Sequence, residues 1–99
     1  MRPPRRSSEQ PFKAAIEEFL DRYHLRDKLD QAKVIQAWEK VVGEMVARNT
    51  SQLHIRHKVL YVKVNTAALR NELLFARTKI MNALNKEAGG KVIEEIVLN

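Results

Sequence analysis

The sequence predicts an α/β (α+β) domain in which a three-stranded sheet and a long helix form a two-layer sandwich. Three observations support this fold class. Apolar residues recur at helical spacing in the first half of the chain, the period then falls from about 3.6 to about 2 near Leu53, and a second long helical pattern follows. A chain of 99 residues holds one modest core. A single domain is therefore predicted over residues 10–99, with the element order α-α-β-β-α-β.

Two helices are predicted before the sheet. The first covers about residues 10–23, and the second covers about 28–42 and ends at Gly43, a residue typical of helix C-caps. Residues 44–48 are expected to add one more turn. Trp38 lies inside the apolar stripe of the second helix, so it is predicted to belong to the core. The apolar residues at helical spacing are Phe12, Ala15, Ile16, Phe19, Leu20, Leu29, Ala32, Val34, Ile35, Val41 and Val42.

A β-hairpin is predicted where the period changes to two. Leu53 and Ile55 alternate with polar residues, and the run 59–64 repeats this alternation. Between them lies the pair His57 and Lys58, which lacks the glycine or asparagine that a tight two-residue turn prefers. A slightly longer or bulged loop is therefore an alternative to the tight turn.

A single long helix is predicted over residues 66–88. Asn65 or Thr66 is its expected cap, and Gly89 followed by Gly90 is its expected stop. This helix is the natural cover for the apolar face of the sheet, and the first two helices are expected to assist it.

The last predicted element is a third strand over residues 92–98, which is short and rich in β-branched side chains.

The preceding helix leaves one question open. Leu74, Phe75 and Met81 are either all core residues, or one of them is left exposed for a partner helix.

Positive charge is concentrated in two regions. The chain carries 18 Lys and Arg against 12 Asp and Glu, a net charge of +6. Residues 1–13 and 51–91 are strongly basic, whereas residues 14–50 nearly cancel. This distribution is typical of proteins that bind a polyanion, although a basic surface kept for solubility looks the same.

Residues 1–9 lack apolar periodicity and are predicted to form a disordered basic arm, a non-specific tether for nucleic acid.

No enzyme is predicted. There is no cysteine, the three histidines do not group with carboxylates at metal-ligand spacing, and no phosphate-binding glycine loop is present. No metal, cofactor or small-molecule substrate is therefore expected. No apolar run approaches the roughly 20 residues that cross a bilayer, so a cytoplasmic protein is expected.

Two predicted faces are suited to nucleic acid. On the hairpin, the residues opposite the core face are Gln52, His54, Arg56, Tyr61 and Lys63, a set that offers cations to phosphates and a ring to a base. On the long helix, two arginines lie one heptad apart, about 10 Å along the axis, which suits a phosphate backbone or a partner's acidic patch. A solvated sheet face would look the same as the first set, and a solvated helix face is the commoner case for the second. The candidate contacts are Arg56, Lys58, Lys63, Arg70 and Arg77 for phosphates and Tyr61 for stacking.

The segment from Trp38 to Thr50, W-E-K-V-V-G-E-M-V-A-R-N-T, resembles the signature W-x-x-(I/V)-V-G-x-x-(I/V/L)-A-x-x-T of the DciA-like family of bacterial replicative-helicase loaders. The resemblance covers roughly residues 12–98. It continues through V-L-Y-V-K-V-N, T-A-A-L-R-N-E-L and L-N-K-E-A-G-G-K-V-I-E-E-I.

The resemblance implies a K-homology-like fold, binding to single- or double-stranded DNA, and delivery of the replicative helicase to DNA. True K-homology domains clamp a nucleic-acid backbone with a G-x-x-G loop. This sequence lacks that loop, so contacts are expected from basic side chains instead. Longer family members carry a C-terminal extension implicated in engaging the helicase, and this sequence ends at Asn99.

The predicted function is that of a DNA-binding accessory protein that assists loading of the replicative helicase. The alternative is a protein-interaction adaptor whose basic face binds an acidic partner. An RNA-binding module is a third option, because the phosphates of RNA and DNA look alike and the sequence carries no RNA-specific motif.

Overall fold

The computed structural model describes the backbone of residues 4–99 and the side chains from Pro11 onwards. In this part of the chain, five helices and a three-stranded open sheet form a mixed α+β fold. The elements are α1 (Pro4–Arg22), α2 (Arg26–Val42), α3 (Glu44–Arg48), β1 (Thr50–Arg56), β2 (Val59–Val64), α4 (Ala67–Phe75), α5 (Arg77–Ala88) and β3 (Glu95–Leu98). None of the described helices is long and apolar enough to cross a membrane.

Helix α1 begins at Pro4, six residues before the predicted start at residue 10. Proline is well placed in a first turn, since its fixed φ suits a helix and its missing N–H would have no partner there. Pro11, by contrast, lies inside the helix. The predicted arm at residues 1–9 overlaps this helix, and residues 1–3 lie outside the described residues. Its role as a tether stays a prediction.

Helix α2 ends as predicted at Gly43, whose N–H donates to the carbonyl of Glu39 at 2.8 Å. Gly43 has φ 94° and ψ 163°, a region that is essentially restricted to glycine. The chain then turns directly into α3, which confirms the extra turn expected at residues 44–48.

The hairpin prediction is confirmed, and its turn is the tight one. Arg56 pairs with Val59, so only His57 and Lys58 lie between the strands. Their φ values are 52° and 64°, as in the type I′ turn that matches the twist of a hairpin. The irregularity of the ladder lies elsewhere, between Thr50 and Gln52.

The prediction of one long helix over residues 66–88 was wrong. Ala76, with φ −94° and ψ 8°, separates α4 from α5. The two helices differ in their main partners: α4 contacts the strands β2 and β3, whereas α5 packs chiefly along α2 and also contacts β3. The predicted ends are confirmed: the Thr66 hydroxyl accepts from the N–H of Leu69 at 3.1 Å, and Gly89 ends α5 in the left-handed conformation.

Strand β3 pairs parallel with β2, which places β2 at the centre of the sheet. The connection between these two strands is the α4–α5 pair, since parallel strands need a crossover. Asn85 fixes the approach to β3. Its side chain accepts from the N–H groups of Val92 and Ile93 at 3.0 Å and donates to the carbonyl of Ile93 at 2.9 Å.

One core cluster joins the sheet to α2, α4 and α5, and it includes Trp38 as predicted. The expectation that the first helix also covers the sheet was wrong, because no described residue of α1 belongs to this cluster. A link between α1 and α2 is the hydrogen bond from Arg26 Nε to Asp21 Oδ1 at 2.9 Å. This bond, together with the negative charge of Asp21, raises the pKa of the Arg26 guanidinium. The buried core residues are Val34, Ala37, Trp38, Leu60, Val62, Val64, Leu69, Leu73, Leu84, Ala88, Ile93 and Ile96.

Candidate nucleic-acid interface

The hairpin register places the predicted polar residues on one face of the sheet, which we call the outer face. Gln52 lies opposite Lys63, His54 opposite Tyr61, and Arg56 opposite Val59. The alternate residues of β2 point into the core and are buried. Because side chains alternate along a strand, this register places Arg56, Tyr61 and Lys63 on one face, with Arg56 at the turn end of the hairpin and Lys63 at the opposite end.

The rings of His54 and Tyr61 stack on the outer face. Their centroids are 5.1 Å apart and their planes are inclined by 14°, an offset-stacked geometry that adds to the stability of a cross-strand pair. Tyr61 was predicted as a ring for base stacking, and it is half-buried with one partner already in place. The sequence did contain a signal for this pair, because a two-residue turn at 57–58 sets residue 54 opposite residue 61.

Arg56 and Lys63 are exposed, and neither has a carboxylate within 4.0 Å among the described residues. The parallel register adds Glu95 to the same face, beside Val59. The outer face therefore carries one cation on β1, Arg56, and one on β2, Lys63, and it has an acidic side chain at β3.

Lys58 lies in the hairpin turn and is partly neutralised. Its Nζ is 3.8 Å from a carboxylate oxygen of Glu94, and its carbonyl accepts from the Glu94 N–H at 2.8 Å. Exposed ion pairs of this kind contribute about 0–1 kcal/mol. Lys58 is thus the one predicted phosphate contact with an acidic neighbour in the part of the chain that is described.

Arg70 and Arg77 are not one heptad apart on a single helix, since the break at Ala76 puts them on α4 and α5. These helices pack on the inner side of the sheet, away from the outer face. Arg77 is exposed, whereas Arg70 is half-buried and its Nε is buried without a hydrogen-bond partner. The predicted contacts on the hairpin and on the helices therefore lie on two sides of the domain.

Positive charge is partly compensated by ion pairs in the first half of the described chain and largely uncompensated in the second. Four basic residues between 26 and 48 form ion pairs with N···O distances of 2.9 to 4.0 Å. The pairs are Arg26–Asp21, Lys33–Asp30, Lys40–Glu87 and Arg48–Glu44. Among the basic residues from 51 to 91, only Lys58 forms an ion pair with another described residue. The basic residues there without a carboxylate neighbour are Arg56, Lys63, Arg70, Arg77, Lys79, Lys86 and Lys91. Such an excess attracts a polyanion.

An open groove of about 350 Å³ lies beside α5. Lys86 and Lys91 flank it, and Asn82 and Asn85 add amide groups. The sequence-based prediction did not include these lysines. The sequence did carry a signal for one of them, because Asn82 and Lys86 are four residues apart on a helix and therefore share a face.

Two apolar surfaces are exposed. Three residues of α1, Phe12, Ile16 and Phe19, form a row with Tyr23, which directly follows the helix; we call it the α1 row, and the rings of Phe19 and Tyr23 are 4.8 Å apart. At the end of α4, the side chain of Phe75 is 94% exposed, while Met81 packs against the core. Of the three residues that the sequence left open, Phe75 is thus the most exposed, and Leu74 is also exposed, at 41%.

Within the described residues, no group of three or more His, Asp or Glu side chains is arranged to hold a metal ion.

The family model described as Dna[CI] antecedent, DciA, matches residues 11–98. No curated protein matches the chain. The matched range includes every element from the middle of α1 to the end of β3.

Proposed function

This chain belongs to the DciA family, and we propose that it is a nucleic-acid-binding accessory protein that helps to load the replicative helicase onto DNA. The family assignment carries the helicase part of this proposal. The nucleic-acid part rests on one observation, the uncompensated basic side chains between residues 51 and 91.

Phosphate contacts are assigned to the unpaired cations of the outer face and of the helical side. Arg56 and Lys63 belong to the first set, and Arg70 and Arg77 to the second. Arginine suits this role because its guanidinium is always charged and can bind a phosphate through two N–H groups. The two sets lie on different sides of the sheet. One molecule of DNA can therefore contact both sets only if it runs around an edge of the domain.

We also assign a two-layer, K-homology-like arrangement to the fold. Two features support it. Strands β2 and β3 are parallel and joined by the α4–α5 pair, and the buried residues of these helices lie in one cluster with the inward side chains of β2. An experimental structure superposed on a K-homology domain tests this assignment.

The α1 row is the surface that we assign to the protein partner. Its four large apolar side chains follow each other at intervals of four, three and four residues, which places them on one face of a helix. An amphipathic helix with such a face commonly binds in a hydrophobic groove of another protein. The replicative helicase is the partner that the family assignment supplies.

The decisive experiment measures the fluorescence anisotropy of labelled DNA against the protein at several salt concentrations, with and without the helicase. A protein that covers Z phosphates loses affinity with a log–log slope of about −0.7Z to −0.9Z. Charge reversal of Arg70 and Arg77 together is expected to weaken binding and flatten that slope. Reversal of Arg56 and Lys63 together is expected to do the same from the outer face.

A matched control is the double reversal of Lys33 and Arg48. It changes the net charge by the same amount, but both side chains already have carboxylate neighbours. If this control weakens binding as much as the Arg70 and Arg77 pair does, overall charge decides affinity and the assigned contacts are wrong. Unchanged affinity and unchanged slope in both test variants would refute the phosphate assignment altogether.

The alternative function is a protein-interaction adaptor that never meets nucleic acid, and the exposed α1 row favours it. The same titration separates the two functions. Salt-sensitive DNA binding that the helicase strengthens supports the loader. Absence of DNA binding at low salt, together with retained binding to the helicase, supports the adaptor.

A further inference from the structure

Phe75 is the most exposed large apolar side chain among those described, at 94%. It is the last residue of α4, directly before Ala76 breaks the helix. A phenylalanine in this position contributes nothing to the core, and leaving its ring in water forgoes about 1.5–3 kcal/mol of burial. A ring held out at a helix junction is therefore a candidate contact for another molecule.

The surroundings of Phe75 are polar and basic. On α4, the side chains three and four residues before it are Glu72 and Asn71, and both are exposed. After the break come Arg77 and Lys79, both exposed and without a carboxylate within 4.0 Å among the described residues. The adjacent Leu74 is 41% exposed, but the side chains one turn earlier on α4 are polar, so Phe75 lacks the repeated contacts at helical spacing that a partner helix needs.

The α1 row differs in this respect, because it presents four apolar side chains in succession. A single exposed ring followed by two cations fits a different ligand. Proteins that bind single-stranded nucleic acid combine aromatic rings, on which bases stack, with basic side chains that follow the phosphates. Arg77 lies close enough for this combination, since two peptide units span at most about 7.6 Å between Cα atoms.

We propose that the ring of Phe75 stacks on an unpaired base of single-stranded nucleic acid, while Arg77 and Lys79 bind the adjacent phosphates. The inference rests on the proposed nucleic-acid-binding function and specifies its ligand. In a duplex, both faces of each base are covered by neighbouring pairs, so a ring on the protein surface has nothing to stack on. A single strand exposes those faces.

Phe75 also suits this role better than Tyr61. Tyr61 is half-buried and already stacked with His54, so a base would have to displace the imidazole or use only the other face of the ring. No ring lies against Phe75 in the described part of the chain.

The test compares the affinity of the protein for a labelled oligothymidine and for a labelled, fully paired duplex of two strands. Phe75→Ala is expected to weaken binding to the single strand by about 5-fold to 150-fold, which corresponds to roughly 1–3 kcal/mol per stacked base. Duplex affinity and the salt slope are expected to stay unchanged, because phenylalanine carries no charge. The melting temperature should not fall, since the ring has no core contacts.

Two further variants separate stacking from simple apolar contact. Phe75→Leu keeps an apolar side chain without a ring, and it is expected to lose affinity as Phe75→Ala does. Phe75→Trp is expected to keep the affinity for the single strand, because tryptophan also supplies a ring. The fluorescence of the added indole should be quenched when oligothymidine binds. Trp38 is buried, so the unmodified protein gives the background for this signal. The matched control is Met45→Ala, which removes another large exposed apolar side chain, 55% exposed on α3, and should leave single-strand binding unchanged.

The outcomes also distinguish this inference from the proposed function. If the unmodified protein binds both probes and Phe75→Ala binds them equally well, nucleic-acid binding stands and the stacking role of Phe75 is refuted. If Phe75→Leu binds like the unmodified protein, or Phe75→Ala loses only binding to the helicase, the ring is an apolar protein contact and the inference also fails. If no variant binds either probe at low salt, the proposed function fails and the inference with it.

Discussion

Trp38 donates a hydrogen bond from Nε1 to the hydroxyl oxygen of Thr50 at 3.1 Å. The Thr50 hydroxyl in turn donates to the carbonyl of Val46 at 2.8 Å. The two residues are the first and last letters of the W-to-T segment that the sequence shares with its family. One short chain of hydrogen bonds therefore holds α2, α3 and β1 together and satisfies the indole N–H of a buried tryptophan.

Thr50→Val is expected to destabilise the domain by about 1–3 kcal/mol, because it leaves the Trp38 N–H buried without an acceptor. Valine has nearly the shape of threonine, so the packing of this site is preserved. Thermal unfolding followed by circular dichroism measures the change, and Thr50→Ser is the control that keeps the hydroxyl. Equal melting temperatures for the valine and serine variants would show that the hydrogen bond contributes little.

Gly43→Ala is expected to destabilise the domain by about 1–3 kcal/mol, because alanine must adopt a backbone region open almost only to glycine. A Cβ at this position meets no atom within 4 Å, so the cost is purely conformational. Gly90→Ala is the matched control, since Gly90 also has open space but no positive φ. Chemical denaturation of both variants measures the difference, and an equal effect at the two positions would contradict the backbone argument.

Lys58→Gly is expected to raise the free energy of unfolding relative to Lys58→Ala by about 1 kcal/mol. Both variants lose the ion pair with Glu94, but only glycine relieves the left-handed conformation at φ 64°, which costs other residues about 1–2 kcal/mol. Urea denaturation of the two variants isolates this backbone contribution. A glycine variant no more stable than the alanine variant would mean that the turn is not strained.

Local signals in the sequence predicted the ends of the elements well. Thr66 caps α4, Gly89 ends α5, and Gly43 ends α2, each through its own hydrogen bonds or backbone conformation. These features depend on a few neighbouring residues, which is why a single sequence shows them. The break at Ala76 depends instead on which partners α4 and α5 pack against, and no glycine or proline marks it.

The candidate site was predicted in part for the same reason. Alternation along β1 and β2 was enough to place Arg56, Tyr61 and Lys63 on one face. Charge compensation was not predictable, since Lys40 pairs with Glu87 from a distant helix. The pattern left open which of Leu74, Phe75 and Met81 is exposed, and it did not predict the exposure of the α1 row, because an apolar periodicity predicts a face to be buried without saying what buries it.

The double variant Ile16→Ser, Phe19→Ser is expected to abolish binding to the replicative helicase while leaving DNA affinity unchanged. These side chains are 45% and 53% exposed on α1, outside the core cluster, so their loss removes apolar contact area for a partner without opening a cavity in the domain. The melting temperature should therefore stay close to that of the unmodified protein. Pull-down with purified helicase and DNA anisotropy on the same sample measure the two activities. Retained helicase binding would mean that the partner contacts another surface. A large fall in melting temperature would mean that the α1 row packs on its own domain in solution.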